Sequence, residues 1–216
     1  MRAGSSAADR GGDPDGSVAR GGHGDRSTSA GELVGAADVD LVTVLLGRRP
    51  AARFRVVRRG AGGVPAVIEN VPFCDDGRPM PTRYWLVDPG LVAAVGRLEA
   101  TGGVRLAERA VDPVALEDAH RRYAALRSAA VPRGHPRPWP SGGVGGTRVG
   151  VKCLHAHLAW HLAGGADPVG SWVVAQLEES GAVAALRALG PLSGSDREVA
   201  PPELALMPRH PAPCSP

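Results

Sequence analysis

A chain of 216 residues is long enough for one domain of ordinary size plus tails, and its 43% hydrophobic content supports a buried core. Aromatic residues make up only 4%, so that core must be built mainly from Ala, Val and Leu. The net charge of +3 is too small to select nucleic acid as a partner, and no stretch approaches the ~20 apolar residues that cross a bilayer.

Residues 1–36 are Gly, Ser, Ala, Asp and Arg with almost no large apolar side chain, the composition of a disordered tail, and the boundary is set at 1–37. A single domain is expected over 38–190. Asp38 is placed as the cap of a short helix carrying Val39, Leu41, Val42, Leu45 and Leu46, ending near Gly47 and Pro50. In RFRVVRR, Arg53 and Arg55 alternate with Phe54 and Val56, the period of a strand with one wet face. Gly60–Gly63 make a turn, and Ala66–Glu69 and Arg83–Val87 read as two further strands.

Asp88-Pro89, Asp112-Pro113 and Asp167-Pro168 each pair a capping acid with a proline at the first helical position. The helices they open carry buried stripes of Leu91, Val92, Val95 and Leu98, then Leu116, Ala119, Tyr123 and Leu126, then Val169, Trp172, Val173 and Leu177. Residues 128–148 form a Pro/Gly loop leading into a helix over Val151–Ala163. A last short helix runs to about Leu189, and residues 191–216 form a proline-rich disordered tail. The sum is an α+β fold, a small antiparallel sheet of about three strands packed with four to five helices.

Cys74, Cys153 and Cys214 are odd in number and far apart, which suits a reducing cytoplasm rather than a disulfide framework. The N-terminal MRAGSSAADRGG lacks the apolar run of a signal peptide. Lys152 is the only lysine. The Arg, Ala, Gly and Pro load fits GC-rich coding more simply than selection for anion binding. Arg48–Arg59 holds six arginines and no acid, but lacks aromatic interleaving beyond Phe54, so it is read as a solvated strand face.

DGRPMPTRYWL (Asp76–Leu86), AHRRYAALR (Ala119–Arg127) and SGGVGGTRVGVKCLHAHLAWHLAGG (Ser141–Gly165), with VIEN at Val67–Asn70 and ADPVG at Ala166–Gly170, occur in the order found in an actinobacterial family. Over roughly residues 38–180 the chain resembles that family, the domain of unknown function 501. The resemblance implies an actinobacterial source and no established activity. It also implies cysteines at positions where this chain has Gly60, Gly62 and Asp88. If those cysteines bind a metal in relatives, this chain has lost most of the ligands. It is expected to fold without structural zinc, and neither a metal nor a cofactor is assigned from the sequence.

Cys153 is the sharpest candidate for chemistry. A helix start and the adjacent Lys152 both favour a thiolate, against the ordinary fate of a free cysteine as a small buried hydrophobe. Cys153, His157 and His161 are spaced four apart on one side of the helix. A neighbouring pair is competent for zinc if His120, Cys74 or Asp88 completes the set. Gly145 and Gly150 have P-loop spacing, but Val151 is inserted before Lys152 and Cys153 stands where Ser or Thr is needed, so a nucleotide-hydrolysing P-loop is rejected. What survives is an anion at the helix start, near Lys152 and Arg148.

His120, Tyr123 and Arg127 share one helix face, either lining a cleft or simply packing and bonding to backbone.

The first functional reading is a non-catalytic binding or regulatory module. Its polar pocket around the VKCLH helix start is lined by Lys152, Arg148, His155, Tyr123 and Arg127 and takes a small anionic ligand or a partner protein. The second is a thiol-dependent enzyme with Cys153 as nucleophile and His120 as base. His155, two residues along the same helix, is expected to point away from Cys153. Metal binding stands third.

Overall fold

In the computed structural model, residues 35–182 and 184–190 are described, and apart from residues 35–37 the two expected tails lie outside them. Helix α1 spans Ala36–Leu46 and ends on Gly47, whose φ of 68° lets its N–H reach the carbonyl of Val44. It begins two residues before the expected cap. Asp38 therefore lies in the first turn, where its carboxylate takes both ends of the Arg59 guanidinium at 2.9 and 2.7 Å. That ion pair holds the Asp38 carboxyl below its usual range.

Three antiparallel strands follow in the spatial order of the chain: β1 (Phe54–Arg59), β2 (Pro65–Asn70) and β3 (Tyr84–Leu86). The register of β1 on β2 shifts between Val56 and Arg58. Phe54 and Val56 face α1 together, as the alternation predicts, and Val57 is buried on the opposite face in the main core, so the face read as wet is covered there. Every residue of the central strand β2 is buried, because both faces of the sheet are covered. On one face Val42 of α1 packs with Phe54, Ile68 and Val87. On the other, Val57, Val67, Tyr84 and Leu86 join the main core supplied by the helices.

Those helices are α2 (Pro89–Ala100), α3 (Gly103–Ala110), α4 (Pro113–Ala129), α5 (Leu154–Leu162), α6 (Pro168–Glu179) and the short α7 (Ala184–Arg187). The described residues thus hold seven helices, more than the four to five expected to pack on the sheet, and six of them match helices placed along the sequence. The one with no counterpart in the sequence reading is α3. Gly102, in the left-handed region at φ 86°, reads as a stop for α2 but is also the N-cap of α3, and Gly103 packs flush on Leu98 with no room for a Cβ. All three Asp-Pro starts are confirmed. Asp88 accepts the N–H of Leu91, Asp112 that of Val114, and Asp167 those of Val169 and Gly170.

Helix α5 is the central element. Leu154, Leu158, Trp160 and Leu162 are buried on different sides of it, against β3, α2 and α6. Trp160 meets Tyr123 of α4 edge-on at 5.2 Å, and Tyr123 meets Tyr84 of β3 at 6.2 Å. A Cβ at Gly165 would overlap the Trp160 ring, so the turn after α5 is fitted to that side chain.

Candidate functional site

The start of α5 differs from the sequence reading in a way that rebuilds the site. Residues 151–153 are not helical. Cys153 is the N-cap, extended at φ −156° and ψ 120°, and its side chain makes no capping bond. An extended residue two places before His155 is not bound by the helical wheel. The thiol turns back toward the imidazole, with Sγ 3.8 Å from Nδ1. The expectation that His155 points away from Cys153 is thereby corrected.

The cap that Cys153 does not provide comes from far along the chain. Glu99, in the last turn of α2, accepts the N–H of Leu154 through Oε1 at 2.6 Å. Glu108 of α3 does the same for Val151 at 2.8 Å. A carboxylate at a helix N-terminus is favourable both for the orphan amides and for the macrodipole. The backbone donors read as a cradle for an external anion therefore serve two glutamates of the chain itself. Lys152 and Arg148 are exposed.

Glu99 Oε1 also lies 3.3 Å from His155 Nδ1. The other ring nitrogen, Nε2, is 3.1 Å from the carbonyl of Val92 on α2, to which it donates. Hydrogen bonding to Cys153 and the nearby Glu99 charge outweigh burial and push the His155 imidazole up to about 9. Among the described residues, one group of three His, Cys, Asp or Glu side chains brings ligand atoms within 4.8 Å of one another: Glu99, Cys153 and His155. All three are half-buried and reachable from solvent.

The remaining candidates are tied into the fold. His120 accepts the N–H of Val144 at Nδ1 (3.0 Å), which fixes the proton on Nε2, and Nε2 donates to the carbonyl of Gly150 at 3.0 Å. With both nitrogens engaged it anchors the glycine turn and has no lone pair to offer Cys153 as a base. Tyr123 is 1% exposed, and its hydroxyl accepts the backbone N–H of Arg83 at 2.6 Å. Burial pushes that hydroxyl up to about 12. Arg127 is 2% exposed and donates to the carbonyls of Pro81 (3.0 Å) and Gly142 (2.6 Å), pinning two loops to α4. His157 is fully buried and bonded to Asp167, and neither it nor His161 joins Cys153. The stripe of Cys153, His157 and His161 fails as a ligand set because Cys153 lies outside the helix that carries the other two.

Burial lowers the His120 pKa below 6.5, so the folded state binds this proton less readily than the unfolded chain. Its contribution to stability is present above pH 6.5 and lost as pH falls through the folded value. An NMR titration of the His120 ring should show a midpoint below 6.5, and a midpoint above it would contradict the assigned bonds.

Glu99 is the member that sequence reasoning missed. It lies 55 residues before Leu154, and only the packing of α2 on α5 brings it there. Two surface clefts lie elsewhere, one lined by Val39, Arg49, Arg53 and Phe54, the other by Leu98, Thr101, Gln176 and Leu177. Neither is lined by Cys153. No described helix is long and apolar enough to cross a membrane.

The positions where the resemblance implies cysteines are neighbours in part, since a Cβ on Gly60 would sit 3.3 Å from Asp88 Oδ2. Searches of curated proteins and of solved structures returned no match. A family model matches residues 56–175, more than half of the chain and the whole of the α2–α5 junction, and the chain accordingly belongs to the family described as protein of unknown function DUF501.

Proposed function

We propose that the chain is a non-catalytic binding or regulatory module whose binding locus is the Glu99, Cys153 and His155 cluster. The observation that carries this reading is the convergence of three different donor types, from α2, α5 and the extended N-cap of α5, at a solvent-reachable point. His120, Tyr123 and Arg127 are meanwhile spent on holding backbone. Lys152, next to Cys153 in the chain, and Arg148 are exposed charges that a ligand or partner protein can use. The dispersed, odd cysteines favour a cytoplasmic setting, and the Arg-rich, Lys-poor composition fits an actinobacterial source.

One observation favours a second reading. Sγ of Cys153 lies 3.8 Å from an imidazole nitrogen, the arrangement of a thiol nucleophile with its base, and the base is His155 rather than His120. Neither of the two clefts described above is lined by the thiol.

The locus must be open in the folded protein. In a Cys214→Ser background, iodoacetamide should label Cys153 without denaturant, read out by peptide mass. Labelling of Cys153 only after unfolding would make it a core residue and remove both readings.

A further inference from the structure

We propose that Cys153 Sγ, His155 Nδ1 and a Glu99 carboxylate oxygen form a binding site for a borderline-soft divalent cation of the zinc class. This inference rests on the binding-locus reading above and names its ligand. The donor set is one sulfur, one nitrogen and one oxygen. Hard cations such as magnesium and calcium favour all-oxygen sites, whereas zinc accepts thiolate, imidazole and carboxylate together.

The spacing agrees with one metal. Zinc–sulfur and zinc–nitrogen bonds of about 2.3 and 2.05 Å at a tetrahedral angle separate sulfur from nitrogen by about 3.6 Å. The observed separation of Sγ from Nδ1 is 3.8 Å. With a zinc–oxygen bond of about 2.1 Å, nitrogen and oxygen stand about 3.4 Å apart. The observed separation of Nδ1 from Oε1 is 3.3 Å.

The surroundings of His155 fit as well. A metal-ligating histidine usually donates its second N–H to a carbonyl or carboxylate, which fixes the ring and turns a lone pair toward the metal. Nε2 makes that bond to the carbonyl of Val92, itself on α2, the helix that carries Glu99. Glu99 is oriented in turn by the N–H of Leu154, and its second oxygen and remaining lone pairs stay available. On metal uptake the protons of Sγ and Nδ1 leave to solvent, and the cation takes three bonds from the chain. Three protein ligands at a half-exposed position leave a fourth coordination place for water or a ligand atom of a partner, in contrast to the four-ligand closure of a structural site.

The test uses the full chain in a Cys214→Ser background, cleared of metal with chelator and titrated with Co²⁺ alone. A thiolate-to-cobalt charge-transfer band in the near ultraviolet should grow to saturation at one equivalent and fall when Zn²⁺ is added. Cys153→Ser should abolish the band, and Cys74→Ser should leave it unchanged. Glu99→Gln, which keeps an acceptor for Leu154, should weaken cobalt binding roughly tenfold or more, as expected when a ligand is exchanged for a poorer donor. Circular dichroism checks the fold of each variant, and Glu99→Gln carries the test if Cys153→Ser does not fold. A band that persists in Cys153→Ser, affinity unchanged in Glu99→Gln, or no band in the parent chain overturns the proposal. If the parent shows no band while Cys153 still alkylates in the native protein, the metal falls and the binding locus stands.

Discussion

Replacing Asp167 by alanine should destabilise the domain by about 3–5 kcal/mol and lower its melting temperature by roughly 10 °C. Asp167 is 2% exposed and satisfies three buried donors at once. Oδ1 accepts the N–H groups of Val169 and Gly170 at the start of α6, and Oδ2 accepts Nδ1–H of the fully buried His157 at 2.7 Å. Alanine leaves all three without partners in a site that water cannot enter, and each orphaned donor costs about 1–3 kcal/mol. Asp167→Asn keeps an oxygen for the two amides but turns an N–H₂ toward His157, so it should cost less. Chemical denaturation of the two variants measures the order. A loss below about 1 kcal/mol for Asp167→Ala would show that the α5–α6 junction does not depend on this carboxylate.

The second large effect is expected at Glu69. This residue of β2 is 4% exposed, and its carboxylate pairs with Arg55 from β1 and Arg83 beside β3, with the Tyr84 hydroxyl at 3.3 Å. Arg83 reaches on to the carbonyl of Leu126 at 3.1 Å, so the ion pair joins the sheet to α4. Glu69→Ala removes the buried carboxylate that Arg55 and Arg83 share. Removing one partner of a buried ion pair typically costs 3–5 kcal/mol, and the partial exposure of Arg55 and Arg83 lets water recover some of it, so about 3 kcal/mol is expected. Glu69→Gln keeps two acceptor lone pairs and should cost less than Glu69→Ala. Equal losses for the two would mean that the negative charge, rather than the shape or the acceptor lone pairs of the side chain, is what matters at this position.

The parts of the fold that local chemistry dictates were legible in the sequence. The three Asp-Pro starts are self-contained, because the capping oxygen and the amides it serves lie within three residues of each other. The strands were found because Val, Ile, Tyr and Trp cluster there, although the face of β1 read as wet buries Val57 in the main core. Helix α3 was not legible, since only Gly103 and Ala107 of its eight residues are buried and a glycine separates it from α2.

At the site, the sequence pointed to Cys153 and His155 but gave the wrong relation between them. Treating 151–153 as helical put the two on different sides of one cylinder, whereas an extended N-cap brings them together. Glu99 and Glu108 had no signal of their own. An acid near a helix end is ordinary in sequence, and only tertiary packing brings Glu99 to the first amide of α5 and Glu108 to the N–H of Val151 before it. His120, Tyr123 and Arg127 do share a helix face, and that face is turned into the core.

The most direct test of the central claim is native mass spectrometry with elemental analysis of the protein isolated from its own host. The account predicts a metal or small-molecule adduct on the wild-type chain that is absent from Cys153→Ser prepared in the same way. A bare wild-type chain, or an adduct retained by Cys153→Ser, would contradict the assignment of the Glu99, Cys153 and His155 cluster as the binding locus.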